Sequence, residues 1–202
     1  MTPRLLLATR NPGKVQEYTL LLRHAPFRLT TLDEEGIEGD VRETGHTLHE
    51  NAQLKAVGYS ADDRFVVIAD DSGLEVDGLG GEPGPLSARY GGKNTDAERI
   101  ALLLSRLHGV PWERRSAHFR CVIAIGANSR ILGLCEGECS GIISFEPRGA
   151  RGFGYDPVFY LPEFDKTMAE LSAEEKNLVS HRGKASQKAL QILERMRQEN
   201  NQ

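Results

Sequence analysis

Leu5-Leu6-Leu7-Ala8-Thr9-Arg10-Asn11-Pro12-Gly13-Lys14-Val15 decides how the first half of this chain folds. The unbroken apolar run 5–8 predicts a strand buried on both faces, as in a parallel sheet. The hydroxyl, carboxamide, proline and glycine that follow form a tight turn. Val15, Tyr18, Leu21 and Leu22 then recur at helical spacing, so Lys14 opens an amphipathic helix that ends near His24, before Pro26. A strand, a turn and a helix N-terminus together make an anion site, because backbone N–H groups and the helix dipole face the ligand. Thr9 and Asn11 would add neutral donors, and Lys14 a full positive charge. The same residues also suit an ordinary βα turn, and the stretch is not a P-loop, which needs G-x-x-x-x-G-K-[ST].

Beyond this stretch the pattern alternates. A short strand is expected at 27–31, followed by an acidic, glycine-containing segment at 33–45. Thr47-Leu48-His49-Glu50 fits a capping box that opens a helix to about Ser60. Strands are expected at 65–69 and 74–76, and Gly80-Gly81-Glu82-Pro83-Gly84-Pro85 is a loop. Thr95-Asp96-Ala97-Glu98 caps a second helix, to about Leu107. Segments 117–126 and 131–143 flank Asn128-Ser129 and read as a long antiparallel hairpin. A glycine-rich loop at 149–156 precedes a short strand at 158–160. Ser172 starts a short helix, and a last amphipathic helix covers 183–198 with Ala185, Ala189, Ile192 and Met196 on one face. Strands alternating with helices, then a hairpin, predict an α/β protein with a central mixed, twisted sheet flanked by helices. Two lobes around a cleft would elaborate it, and no linker marks a domain boundary, so 1–202 reads as one domain.

Composition narrows the function. With 202 residues, 39% hydrophobic and 27% charged, the chain is long enough for a substantial core and ordinary for a soluble protein. A net charge of −4 excludes a uniformly basic surface of the kind that neutralises a nucleic-acid backbone, so any phosphate site must be local. Cys121, Cys135 and Cys139 lie in apolar β-like sequence without a second cysteine pair or histidine cluster, which argues for reduced, packed thiols rather than zinc. No signal-peptide core is read at the N-terminus and no apolar run approaches membrane-spanning length, so a soluble, cytoplasmic chain without a membrane partner is expected.

Further clusters carry chemistry. Asp70-Asp71-Ser72-Gly73 follows the 65–69 strand, where open α/β sheets bind ligands. Alternation sends the two carboxylates to opposite sides, so one can hold Mg2+ or orient water while the other braces the loop. The alternative is a plain turn, for which these four residues are well suited and which they favour when taken alone. Glu38, Asp40 and Glu43 are further oxygen ligands or a solvated acidic loop. Glu50 is explained by its capping box; Asn51 and Lys55 either face the anion site or lie on an exposed helix face. In Gly152-Phe153-Gly154-Tyr155-Asp156-Pro157 the aromatics either stack on a base or plug into the core, and Asp156 can accept from ring N–H groups. Lys176, His181 and Arg182 offer donors for an anion or a purine carbonyl edge, or simply cations at a helix end.

Jointly these clusters describe a phosphate cradle, a carboxylate-held metal and a base pocket. The sequence resembles the ITP/dITP/XTP pyrophosphatase family in Thr9-x-Asn11-x-x-Lys14, Glu43-Thr44-Gly45, Glu50-Asn51-Ala52 with Lys55, Asp70-Asp71-Ser72-Gly73-Leu74, Gly80-Gly81-x-Pro83-Gly84 through Ser87-Ala88-Arg89-Tyr90, Gly152 to Pro157, and Met168-Ala169-Glu170-Leu171 through Lys176 to Ser180-His181-Arg182. The motifs run in order from residue 9 to 182. The resemblance implies an elongated, two-lobed, homodimeric protein with its active site in the cleft between lobes. It also implies Mg2+-dependent attack of water at the α-phosphorus of a purine nucleoside triphosphate, releasing pyrophosphate. On the same basis Thr9, Arg10, Asn11, Pro12, Gly13, Lys14 and Ser72 hold the triphosphate, and Asp71 is proton acceptor and metal ligand. Phe153, Gly154, Tyr155, Asp156, Lys176, His181 and Arg182 form the base pocket, with Glu50, Asn51, Lys55 and Asp70 as support. Many relatives carry two acidic residues before Thr-Gly where this chain has Arg42-Glu43, which leaves Glu43 as the fallback metal ligand. The alternative is a nucleotide hydrolase of different base or phosphate specificity.

Overall fold

Parallel pairing around one short strand organises the first half of the chain. The structure, a computed structural model, describes residues 4–199. β1 (Arg4–Leu7) lies between β2 (Arg28–Thr31) and β3 (Phe65–Val76) and pairs in parallel with both, Leu5 standing opposite Leu29 on one side and Val66 on the other. Leu5, Leu6 and Leu7 are all at most 1% exposed, which is why the run shows no polar alternation. α1 (Pro12–Leu21) links β1 to β2, and α2 (Leu48–Tyr59) precedes β3. α1 starts two residues before Lys14, because Asn11 takes the N-cap and Pro12 the first helical position, where its missing N–H costs nothing.

The segment 70–73 corrects the sequence reading. Asp70-Asp71-Ser72-Gly73 is not a turn between two strands; it continues β3 without a break. Local turn propensity loses to tertiary context here. β4 (Pro83–Gly84), inside the expected loop, pairs antiparallel with Leu74 and Glu75, and a side chain at Gly73 would place its Cβ 2.3 Å from the Gly84 carbonyl oxygen. The hairpin is as expected: β5 (Ser116–Ala127) and β6 (Arg130–Ile143) are joined by Asn128 and Ser129 at φ 51° and 56°, the left-handed pair that matches strand twist.

The described chain forms two compact units. The first comprises 4–71, 121–137 and 181–199, the second 72–120 and 138–180. In the first, strands run in the order β2-β1-β3-β5-β6. One face packs Leu5, Leu7, Val66, Ile68, Ile123 and Ile125 against α1 and α5 (His181–Glu199). Ala185, Ala189 and Leu193 are the α5 residues buried in this apolar cluster, with Ile192 and Met196 only partly covered. The other face packs Leu6, Ala8, Phe65, Val67 and Ala69 against Leu48, Ala52 and Ala56 of α2. Two glycines bring the helices in. A Cβ at Gly126 would stand 2.8 Å from the Ala56 carbonyl oxygen, and one at Gly137 2.0 Å from that of His181 and 2.7 Å from the Ala185 nitrogen.

In the second unit β3, β5 and β6 are joined by β7 (Phe159–Leu161) and β8 (Lys166–Thr167), β7 pairing antiparallel with both neighbours. α3 (Asp96–Arg106) buries Ile100 and Leu103 among Leu74, Val76, Phe159 and Met168, and α4 (Ala173–Val179) is capped by Ser172. Arg115, 2% exposed, donates to the carbonyl oxygens of Ile143, Leu107 and Ser144 and so ties α3's C-terminal end to the sheet. A central mixed sheet flanked by helices is thus the expected α/β class. No helix among the described residues is long and apolar enough to cross a membrane.

Gly137→Ala should force the first turn of α5 off β6. The expected loss is about 1–3 kcal/mol, read as a lower urea midpoint at unchanged slope. An unchanged midpoint would show that α5 is not seated against Gly137.

Candidate active site

The turn after β1 is built by its own side chains. Thr9 Oγ1 accepts from the Asn11 N–H at 3.2 Å, and Asn11 Oδ1 accepts from the Lys14 N–H at 3.1 Å. The Val15 N–H bonds to the Asn11 carbonyl and Pro12 has no N–H, so Gly13 keeps the first-turn amide without a partner among the described residues. The oxygens of Thr9 and Asn11 therefore shape the turn, while the Asn11 amide nitrogen stays a donor. Arg10 points elsewhere. It donates to Asp33 (2.7 Å), Asp40 (2.9 Å) and the Ile37 carbonyl, strapping the acidic segment down.

Alternation along β3 separates the two carboxylates. Asp70 continues the face of Val66 and Ile68, and Asp71 that of Val67 and Ala69. Asp70, 1% exposed, lies 2.9 Å from Lys14 Nζ and 3.7 Å from Arg182 Nε, and Arg182 also reaches Glu17 at 3.1 Å. Burial would raise the Asp70 pKa, but the charges of Lys14, Arg182 and Lys55 outweigh it and hold the carboxyl below its ordinary value. On the other face Asn51 donates to Asp71 Oδ2 at 3.1 Å and accepts from the Gly45 N–H at 2.9 Å. Lys55, one turn further along α2, bridges Glu43 (2.8 Å) and the Asp70 carbonyl oxygen (2.5 Å). Asn51 and Lys55 are buried, so the exposed-face alternative is wrong. Burial raises the Asp71 pKa, and here Lys55, Lys14 and the Asn51 bond do not outweigh it. Glu50 completes its capping box, accepting from the His46 and Thr47 N–H groups.

The second unit holds the glycine-rich loop. Asp156 Oδ2 accepts from the Phe153 N–H at 2.9 Å and from Lys176 Nζ, whose ammonium also lies 5.3 Å from the Phe153 ring centroid. Tyr155 takes the core alternative. Tyr155 is buried and donates its hydroxyl to the Ser87 carbonyl at 3.0 Å, whereas Phe153 is half-buried. Gly152 and Gly154 have φ +74° and +64°, and a Cβ at Gly152 would fall 2.0 Å from Asp156 Oδ2. Ser72, in β3 beside Asp71, is half-buried.

Lys176 joins Phe153 and Asp156, whereas His181 and Arg182 are buried in the first turn of α5 in the other unit. Sequence reasoning missed Glu17 and Tyr18, although they stand three and four residues after Lys14 on one helical face. Tyr18 is buried beside Asp70, its hydroxyl 3.6 Å from Cys121 Sγ, and burial pushes that thiol up to about 12. The three cysteines are free and buried, as expected. Among the described residues no three His, Cys, Asp or Glu side chains cluster to cage a metal. Mg2+ needs no such cage, since it takes one or two carboxylates and completes its octahedron with water and phosphate oxygens.

Turn, adjacent carboxylates and buried cations lie together in the first unit of an α/β protein. The chain matches the Ham1 family over residues 5–192, and it belongs to that family. It is 51% identical over 182 residues to the dITP/XTP pyrophosphatase of Geobacillus kaustophilus, covering 90% of this chain and 89% of that one. It is 45% identical to the dITP/XTP pyrophosphatase of Bacillus subtilis, covering 94% and 96%. A solved Ham1 protein from Coxiella burnetii superposes with a TM-score of 0.85 at 42% identity, over 96% of this chain and 99% of that one.

Asp70→Asn should cost about 3–5 kcal/mol at pH 7 by leaving buried cations unbalanced. A depressed pKa means the carboxylate stabilises the fold above its ordinary value of 3.8, and the effect is lost as pH falls through the lower folded value. The gap between wild type and variant in denaturant titrations should therefore close in acid. A gap independent of pH would mean that the Asp70 charge is not its source.

Proposed function

We propose that this chain hydrolyses nonstandard purine nucleoside triphosphates, dITP, XTP and ITP, to the monophosphate and pyrophosphate with Mg2+. The names of its Ham1 relatives support the substrate class. The observation that carries the mechanism is Asp71: a buried carboxylate with a raised pKa, oriented by Asn51 and lying in the field of Lys14 and Lys55. When bound, Mg2+ would neutralise phosphate oxygens and make the attacking water more acidic, with Asp71 and Glu43 as its protein ligands. Asp71 accepts the proton of the water that attacks the α-phosphorus, and its raised pKa makes it a better base than an ordinary aspartate. The Gly13 N–H, the Asn11 amide and Lys14 hold the phosphates, and Asp70 keeps Lys14 in place.

Within the second unit, the half-buried Phe153 ring offers a stacking face for a purine. Lys176, paired with Asp156 and lying 5.3 Å from the Phe153 ring centroid, puts an ammonium donor beside that ring, the chemistry that meets a 6-oxo group. Adenine presents an amino group there and would leave a donor unpaired, a mismatch that can discriminate by about 10⁴–10⁵. The resemblance adds Thr9, Pro12 and Ser72 on the phosphate side and His181 and Arg182 on the base side, with a homodimeric state and a cytoplasmic role in cleansing the nucleotide pool.

Steady-state hydrolysis of ITP, XTP, GTP and ATP, with products separated by ion exchange, tests the proposal. IMP or XMP with pyrophosphate, and little turnover of GTP or ATP, is the expected result. Orthophosphate release or equal use of ATP would overturn it in favour of a hydrolase of different specificity. Asp71→Asn should keep nucleotide binding and lose about 10²–10⁴ in kcat; unchanged turnover removes Asp71 as base. Lys14→Ala should raise KM for the triphosphate far more than it weakens nucleoside binding, and equal effects would take Lys14 out of the phosphate site.

A further inference from the structure

The direction in which Phe153 presents its ring is set by the two peptide planes that flank it. The plane before it carries the Phe153 N–H, which donates to Asp156 Oδ2 at 2.9 Å. The plane after it carries the Gly154 N–H, which donates to Asp96 Oδ2 at 2.7 Å. With both planes held, φ and ψ of Phe153 are fixed, and its Cα–Cβ bond with them. Asp156 is local to the loop. Asp96 is not: it sits 58 residues away in sequence, in the first turn of α3.

Asp96 is itself held. Arg99 donates to its Oδ1 and to the Lys93 carbonyl oxygen at 3.0 Å, so Oδ2 is presented to the loop. Asp96 has no part in the capping box of α3, which Thr95 and Glu98 complete without it. Its carboxylate therefore serves a contact outside its own helix. Both oxygens meet donors, and only a carboxylate accepts on both sides; asparagine would turn its amide against either Arg99 or Gly154.

We infer that Asp96 is a positioning residue that sets purine-base affinity by fixing the backbone of Phe153. The inference rests on the assignment of Phe153 to the base. Asp96 touches neither substrate nor metal; its effect passes through the Gly154 N–H. Loosening this plane, whose carbonyl end still accepts from the Asp156 N–H at 3.3 Å, means that the nucleotide must order it on binding, which corresponds to about a 5- to 30-fold rise in KM.

The test measures KM and kcat for ITP, with inhibition by inorganic tripolyphosphate as a probe that has no base. Asp96→Ala and the near-isosteric Asp96→Asn should each raise KM by about 5- to 30-fold, keep kcat within about twofold and leave tripolyphosphate inhibition unchanged. In Asp96→Asn, adding Arg99→Leu frees the asparagine oxygen to accept from Gly154 and should bring KM back towards wild type. Phe153→Ala is the reference for the base assignment. If it raises KM and the Asp96 variants do not, the tether is overturned while the base reading stands. If Phe153→Ala leaves KM unchanged, the base assignment fails and this inference falls with it. Parallel losses in kcat and tripolyphosphate inhibition would mark Asp96 as a general structural residue and overturn the inference.

Discussion

A carboxylate on the floor of a dry core must be neutralised from close by, and Asp70 is such a group. Its 1% exposure removes water as a source of compensation, so three cations gather around it: Lys14 from α1, Arg182 from α5 and Lys55 from α2. Each comes from a different helix, and each helix is seated on the sheet by apolar packing. The charge cluster and the sheet's two cores therefore depend on one another. Glu17 extends the arrangement by sharing Arg182, which leaves the buried guanidinium with acidic partners on two elements.

Asp71 illustrates the opposite outcome from an adjacent position. It shares the chain, the strand and much of the same electrostatic field, but faces α2, where its hydrogen-bond partner is the neutral amide of Asn51. Burial then prevails and its pKa rises, while that of Asp70 falls. Two neighbouring carboxylates are driven apart by environment alone, the pattern that separates a structural acid from a chemical one. Gly45 belongs to the same device. A Cβ there would stand 2.7 Å from Asn51 Oδ1, so only glycine lets the backbone approach closely enough to orient the amide.

Carboxylates also organise the second unit, with backbone N–H groups as the targets. Asp156 and Asp96 hold successive peptide planes of a loop whose glycines adopt left-handed φ. Such a loop has no strand or helix ladder to define it, so acceptors from α3 and from its own residues do so. Tyr155 anchors it in the core, and Phe153 is left half-buried with a cation near its ring.

Periodicity and capping chemistry determined most of the fold. The apolar run 5–8, the capping boxes at Thr47 and Thr95 and the Asn128-Ser129 turn act through nearest neighbours, so they read directly from sequence and recur in the structure. The ordered motifs placed the chain in its family for the same reason, because each motif is a local pattern. Where a residue's state depends on something distant in sequence, local reading failed. Asp70-Asp71-Ser72-Gly73 has the chemistry of a turn and becomes strand only because β4 and the helices' cations arrive from elsewhere. Asn51 and Lys55 resemble a solvated helix face until α2 turns them onto β3. The spacing of Glu17 from Lys14 and the place of Asp96 in a capping sequence did not disclose their partners, Arg182 and Gly154, which lie 165 and 58 residues away. Local chemistry dictates which groups are present and which turns, caps and strands carry them. Which of them are buried together follows from long-range packing, and burial is what separates Asp70 from Asp71.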